Sequence, residues 1–415
     1  MKNTITIVLA LSFLSFQEPN PIKISDILGS AYDDIVYQSQ LEKLDYLRHN
    51  PFEVPLFNRV EFRTETRDFD PEMQEYALRF KPNSFSQRKY NKKYYQSSLR
   101  INEIQNQEAL NRALTDRYER IIDLIKTSKI TEIKQRLKIL LEDRITVLTR
   151  ALNTVDFDYE KLMEAEDDYH EVQLELIDLE RKDKRIRDDI SVFLDLQNTF
   201  ELDTSNLVDV DYIERFINTL TFQVDSSNLE IAKSMERIIL ADHDFNEEKS
   251  QENNLLGFFQ TTYRNDLNDP FKNDLRLSLG IRLPIANSSQ PKLNRLRLKQ
   301  LDKQNDLEII KSEVSKEMAQ TIQDIQILME KYQITRAVIE EENTETSLRR
   351  YLSIEGISPL ILLKIQESII KKEIILSDLE KKIFDEYLKL LKVSGKLVQP
   401  PLRNYFSKLQ EEVMR

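Results

Sequence analysis

The sequence predicts a mainly helical protein with a small β part and an internal two-fold repeat. Residues 275–285 alternate strictly between apolar and polar side chains, and residues 76–80 show the same alternation about 200 positions earlier. Residues 54–67 and 255–264 form a second alternating pair at about the same offset. Only 5 of the 415 residues are Gly, so few tight turns and very long helices are expected.

The same order of elements is predicted twice along the chain. The first repeat, residues 17–197, contains a short helix at 24–49, strands at 54–67 and 76–85, a long helix at 86–152 and a return helix at 159–196. After a linker at 198–210, the second repeat, residues 211–396, contains a helix at 211–248, strands at 255–264 and 275–285, a long helix at 291–352 and a return helix at 360–393. Residues 397–415 are predicted to be a C-terminal tail. Apolar residues three and four apart in both long helices are typical of coiled-coil seams.

Composition excludes several classes of function. The net charge is −12 and the isoelectric point is about 5.1, which argues against a nucleic-acid partner. The chain has no Cys, and its three His residues lie far apart, so neither disulfides nor a metal site are expected. It also lacks a Gly-rich phosphate loop and a nucleophile elbow. We therefore expect no enzyme, no catalytic residues and no cofactor.

The N-terminus has the pattern of a secretory signal. Lys2 precedes an apolar run at residues 5–16, which is too short to be a transmembrane helix. Residues 1–16 are therefore predicted to be a signal peptide, with a buried N-terminal helix as the alternative. After Phe16 no window of 18 consecutive apolar residues occurs, so any membrane crossing is expected to use strands.

The predicted strands have one apolar and one charged face. In the first strand, Val60, Phe62, Thr64 and Thr66 oppose Arg59, Glu61, Arg63, Glu65 and Arg67. In the last strand, the residues predicted to face lipid are Leu275, Leu277, Leu279, Ile281 and Leu283, and those predicted to face a lumen are Arg276, Ser278 and Arg282. Strands persist in lipid only as a closed barrel, and about eight strands are needed to close one. Four strands per protomer would give twelve in a trimer, whereas a soluble sheet packed on the helices would show the same alternation.

Two segments resemble the bacterial outer-membrane efflux protein family, of which TolC is the type member. The first contains Tyr351, Gly356-Ile357-Ser358, Leu362-Leu363, Gln366, Tyr387, Leu390-Leu391 and Gly395, and the second is Leu277-Ser278-Leu279-Gly280-Ile281-Arg282-Leu283-Pro284. The doubled order of elements supports the resemblance over residues 24–396.

The resemblance implies a homotrimer in the outer membrane of a Gram-negative bacterium. A long α-helical coiled-coil barrel in the periplasm would continue into a twelve-stranded transmembrane β-barrel surrounded by outer-membrane lipid. The trimer would be a passive exit duct, served by an inner-membrane pump and a periplasmic adaptor protein. The adaptor is expected to bind the tips of the hairpins, at Asn153, Asp156, Asp158, Glu355, Gly356 and Ser358. The alternatives are a periplasmic adaptor with a single helical hairpin and a structural coiled-coil protein.

An acidic cluster before the second tip is a candidate gate. Glu341 and Glu345 are spaced to share one helix face, and three-fold symmetry would turn inward-facing carboxylates into a ring. Arg349 and Arg350 follow one turn later and could link neighbouring helices. A solvated acidic face with ordinary intrahelical ion pairs is the alternative.

Overall fold

The structure is a computed structural model of a mainly helical chain with a small β part, so the predicted fold class is confirmed at that level. It describes residues 21–51, 55–66, 73–83, 85–152, 159–196, 200–219, 227–252, 256–266, 274–281, 290–343 and 359–413. The helices are α1 (Ile24–Gly29), α2 (Ile35–His49), α3 (Phe85–Arg150), α4 (Tyr159–Leu194), α5 (Val210–Thr219), α6 (Leu229–Glu252), α7 (Gln290–Asn343) and α8 (Pro359–Val393). The strands are β1 (Pro21–Lys23), β2 (Phe57–Thr66), β3 (Met73–Pro82), β4 (Glu201–Asp203), β5 (Leu256–Asp266) and β6 (Asp274–Ile281).

Helix α3 organises the helical layer. It has 66 residues, which corresponds to about 100 Å of helix. Its first half packs against α2 and α6, and its second half packs against α4 and α8. Helix α7 packs along α6 and α8 in the same way. None of the helices in the described ranges combines the length and the apolarity that crossing a bilayer requires.

The single helix predicted at 24–49 is wrong, because the chain breaks between α1 and α2. A 3₁₀ turn spans Ser30–Asp33, and α2 then starts from Asp34. The Asp34 carboxylate accepts hydrogen bonds from the backbone N–H groups of Val36 at 3.0 Å and Tyr37 at 3.4 Å. These N–H groups have no acceptor within the helix, so the carboxylate stabilises a new helix start at this position.

The single helix predicted at 211–248 is also wrong, because a second helix start lies inside it. Asn228 is not helical, and its side-chain oxygen accepts hydrogen bonds from the N–H groups of Glu230 and Ile231 at 2.9 and 3.1 Å. Its amide group donates to the carbonyl oxygen of Val393 at 2.6 Å. Asn228 therefore starts α6 and fixes it to the end of α8.

Residues 397–413 pack into the core, although the sequence predicts only a tail. Gly395 lies two residues after the last residue of α8 and has a φ of 71°, and a Cβ atom at this position would lie 2.0 Å from the carbonyl oxygen of Ser227. Glycine avoids both the left-handed strain and this clash. The turn directs the C-terminal segment back across the middle of α3, where Val208 donates its N–H to the carbonyl oxygen of Phe406 at 3.1 Å.

This segment completes the largest buried cluster, which we call the central cluster. The cluster combines side chains from α1, α5, the middle of α3, the ends of α4 and α8, the second half of α7 and the C-terminal segment. Phe406 is fully buried, and its ring centroid lies 5.0 Å from that of Tyr118 and 5.5 Å from that of Tyr387. The Tyr118 hydroxyl accepts from the N–H of Tyr405 at 3.1 Å, and burial raises the pKa of this phenol well above its usual range.

The strands form two sheets. Strands β1 and β4 pair in parallel, which brings a short strand into the predicted linker at 198–210. The other sheet has the order β2-β3-β5-β6, and every neighbouring pair is antiparallel. Strands from the two halves of the chain thus lie in one sheet, at the ends of α2, α3, α6 and α7.

Candidate functional site

The four-stranded sheet is the candidate functional site, because its register separates apolar from charged side chains across all strands. Val60 pairs with Phe80, Phe80 pairs with Phe259, and Phe259 pairs with Leu279. Paired residues lie on the same side of a sheet and alternate residues on opposite sides. We call this side the apolar face; its members are Val60, Phe62, Thr64, Thr66, Gln74, Tyr76, Leu78, Phe80, Phe259, Thr261, Tyr263, Leu275, Leu277, Leu279 and Ile281.

The apolar face is open to its surroundings within a single chain. Phe62 is 67% exposed, and the four predicted lipid-facing residues Leu275, Leu277, Leu279 and Ile281 are 61–72% exposed. A soluble sheet packed on the helices would bury this face. Continuous apolar exposure on this scale marks a surface that another molecule or a membrane covers. Leu283 lies outside the described residues.

The opposite side, which we call the charged face, carries ion pairs. Its members are Arg59, Glu61, Arg63, Glu65, Glu75, Ala77, Arg79, Lys81, Phe258, Gln260, Thr262, Arg264, Asp274, Arg276, Ser278 and Gly280. Glu61 accepts from Arg59, Arg63 and Lys81 at 3.1, 2.7 and 2.8 Å. The predicted lumen-facing residues Arg276 and Ser278 lie on this face, and Arg282 lies outside the described residues.

Phe258 and Gly280 form a cross-strand pair on the charged face. The Phe258 ring covers Gly280 so closely that a Cβ atom there would lie 2.2 Å from its Cε1 atom. The guanidinium carbon of Arg79 lies 4.2 Å from the centre of the same ring. An aromatic ring over a cross-strand glycine restores packing that the glycine lacks, so this pair fixes the register of β5 and β6.

The sheet and the helical layer have open edges on the same sides. Neither β2 nor β6 has a second strand neighbour within the described ranges. In the helical layer, α2 and α4 flank α3 on the β2 side, while α7 is the last long helix on the β6 side. Unpaired strand edges favour pairing with another chain. Strand β6 is antiparallel to β2, so a second copy could continue the sheet without changing its pattern.

The predicted tip and gate residues are only partly within the described structure. The tip residues Asn153, Asp156, Asp158, Glu355, Gly356 and Ser358 lie outside the described residues, as do Glu345, Arg349 and Arg350 of the candidate gate. Glu341 lies in the last turn of α7 and is exposed. One turn earlier, Arg336 pairs with Glu340 at 2.9 Å and with Asp211 of α5 at 3.3 Å.

A buried ion group near the tip end of α3 was missed by sequence reasoning. The Arg144 side chain is 3% exposed and lies 2.9 Å from Glu164, 3.5 Å from Asp168 and 3.1 Å from Glu367. Glu367 also accepts from Lys371 at 2.7 Å, and this hydrogen bond raises the pKa of the lysine. A signal was present, because Arg144 follows Leu137 and Leu141 at helical spacing in the buried stripe of α3. The group connects α3 and α4 to α8.

Solved outer-membrane channels have the same architecture. CusC, described as forming a transmembrane channel, aligns with a TM-score of 0.66 at 12% identity over 92% of this chain and 96% of CusC. The chain has the TolC-like fold of the outer-membrane efflux proteins. The open-state channel MtrE of Neisseria gonorrhoeae gives a TM-score of 0.65 at 11% identity, over 94% of this chain and 91% of MtrE.

The TolC-like fold is retained despite low sequence identity. The outer-membrane protein VceC of Vibrio cholerae aligns with a TM-score of 0.63 at 13% identity, over 90% of this chain and 96% of VceC. No protein-family model and no curated protein matches the sequence. The matches to CusC, MtrE and VceC confirm, for the fold, the resemblance that the sequence indicated.

Proposed function

We propose that three copies of this chain form a channel in the outer membrane of a Gram-negative bacterium, extending into the periplasm. The observation that carries the proposal is the exposed apolar face on a sheet with two open edges. A membrane-spanning sheet must leave no backbone group unpaired, and only closure achieves this. Four strands are too few to close, whereas twelve leave an interior with room for water.

The pattern of the sheet supports closure with neighbouring copies. Strand β6 of one copy would pair with β2 of the next in antiparallel orientation, as within each chain. The apolar face would then face lipid and the charged face a water-filled lumen. Helix α7 of one copy would pack beside α2 and α4 of the next, which would close the long helices into a barrel below the strands.

The proposed channel is a passive exit duct within a tripartite efflux or secretion system. CusC and MtrE are described as a transmembrane channel and an outer-membrane channel, and this chain has their fold. Energy would come from an inner-membrane pump, and a periplasmic adaptor would bind the tips. The two helical hairpins and the four-stranded sheet argue against the alternative of an adaptor with one hairpin.

The oligomeric state and location test the proposal. Protein extracted from outer membranes in mild detergent is expected to cross-link as a trimer and to conduct ions in planar bilayers. A folded, monodisperse monomer would contradict it. Recovery from the soluble periplasm would favour the adaptor, and recovery from the cytosol would favour the structural coiled coil.

The tips and the acidic cluster have separate tests within the same proposal. Gly356→Val is expected to leave the trimer intact and to abolish adaptor binding, and normal binding would refute the docking role. Combined Glu341→Ala and Glu345→Ala substitutions are expected to weaken block of the channel by divalent cations, and Arg350→Ala to raise its resting conductance. If block and conductance are unchanged, these residues do not form a gate and belong to a solvated surface.

A further inference from the structure

Charges on the charged face are distributed unevenly along the strands. The register arranges this face in four rows, counted from the helical end, where β2 begins and β3 ends. The first row contains Arg59 and Lys81, the second Glu61 and Arg79, the third Arg63 and Arg276, and the fourth Glu65, Glu75, Arg264 and Asp274. The first three rows hold five cations and one carboxylate, whereas the fourth holds three carboxylates and one cation.

The excess of positive charge is only partly cancelled by the fourth row, where Asp274 accepts a hydrogen bond from Arg276 at 3.0 Å. Glu61 is the single carboxylate of the first three rows, and its side chain, 9% exposed, is enclosed by three cations. Arg59 and Arg63 remain 68% and 53% exposed beside it. Arg79 donates to the neutral Gln260 at 2.7 Å and stacks on Phe258. The net formal charge of these rows is +4 (five cations minus one carboxylate), in a chain whose net charge is −12.

We propose that the three helix-proximal rows form an anion-attracting section of the channel wall. This inference rests on the proposed trimer, in which three-fold repetition would surround the lumen with the same basic band three times. A low-dielectric wall focuses such a field, and rings of Arg and Lys favour anions in pores. The section therefore favours small anions, together with transported molecules that carry carboxylate or phosphate groups. The acidic fourth row opposes it at the outer end.

Ion selectivity tests the inference. Reversal potentials are measured for the purified trimer in planar bilayers, with KCl about tenfold more concentrated on one side than on the other. The more concentrated side contains about 0.1 M KCl, at which the screening length is about 10 Å. The wild-type channel is expected to prefer chloride over potassium. Combined Arg63→Gln and Arg276→Gln substitutions remove two of the five cations and are expected to lower the chloride-to-potassium permeability ratio by at least about twofold.

A charge-conserving variant is the matched control. Combined Arg63→Lys and Arg276→Lys substitutions keep the charge and are expected to keep the wild-type ratio. Arg276→Gln alone, on the edge strand with a side chain 56% exposed, replaces the double variant if that variant fails to assemble. Channels whose ratio is the same with Gln and with Arg would overturn the inference while leaving the channel intact. A trimer without any conductance would instead refute the proposed function, and the inference with it.

Discussion

Apolar side chains are buried in the central cluster but exposed on the four-stranded sheet. Phe406, Tyr387 and Ile213 are completely enclosed by the chain itself. Phe62, Leu275 and Leu277 are each at least two-thirds exposed, although they belong to equally regular structure. The difference indicates that the folded chain completes its centre alone and depends on its surroundings to complete the sheet. The predictions below test each half of this comparison.

The largest effect is expected in the central cluster. Phe406→Ala removes a fully buried ring that contacts Tyr118, Tyr387 and Phe384, and should lower the free energy of unfolding by about 3–5 kcal/mol. Leu409→Ala, three residues later at a site 64% exposed, is the control and should have little effect. Denaturant unfolding of the purified protein measures both. Equal stability of the two variants would show that the C-terminal segment is not part of the core.

The sheet should be sensitive to charge on one face only. Leu279→Arg places a cation on the apolar face and should cost about 2–4 kcal/mol if the site lies near the bilayer midplane. The adjacent Ser278→Arg adds the same group to the charged face and should be mild. The yield of membrane-inserted trimer measures the difference. Equal losses from both substitutions would argue for a soluble sheet.

Packing on the charged face gives a smaller effect. Gly280→Ala places a methyl group against the Phe258 ring and should cost about 1–3 kcal/mol. Adding Phe258→Leu should recover part of this loss, because the clash is with the ring. Thermal dissociation of the trimer is the measurement. A Gly280→Ala variant with wild-type stability would show that the close pairing of β5 and β6 is not maintained after assembly.

The smallest effect is a pH dependence in the contacts of the C-terminal segment. Asp209 accepts a hydrogen bond from Lys408 at 2.7 Å, which lowers the pKa of the carboxyl group, and it also accepts from the N–H of Tyr212. Because the folded pKa is the lower one, this contribution is present above the unfolded pKa of about 3.9 and is lost as pH falls through the folded value.

Asp209→Asn should remove this pH dependence and retain the cap on Tyr212. Since Asp209 is half exposed, the difference from the wild type near pH 6 should stay below about 1 kcal/mol. Urea unfolding between about pH 3 and 6 compares the two proteins. Parallel pH profiles for the wild type and the variant would show that the ion pair does not contribute.

The sequence predicts the sheet better than it predicts the centre. Strand alternation with a period of two assigns Leu277 and Ser278 to opposite faces, as the structure has them. The contact between Tyr118 and Tyr405 joins residues 287 positions apart, and no local pattern reports it. The sequence carries a signal for the start of α6, because Asn228 is a favoured N-cap residue and ends the polar run Asp225-Ser226-Ser227-Asn228.

The partners in ionic contacts between helices were also not predicted from the sequence. Arg144 occupies a buried position because Glu164, Asp168 and Glu367 from two other helices surround it. A charged residue in an apolar stripe indicates a buried ion group, but it does not identify the partners of that residue. Sequence periodicity therefore predicts which side of an element is buried, whereas the partners across the interface come from the fold.

Thiol labelling along β6 tests the central claim most directly. The chain contains no Cys, so single Cys substitutions at positions 275–279 can be compared one at a time in reconstituted vesicles. Cys at Arg276 or Ser278 should react with a charged, water-soluble thiol reagent. Cys at Leu275, Leu277 or Leu279 should react only after the membrane is dissolved and the protein is denatured. Equal reaction of the charged reagent at Leu277 and Ser278 in intact vesicles would contradict a sheet completed by lipid on one face and water on the other.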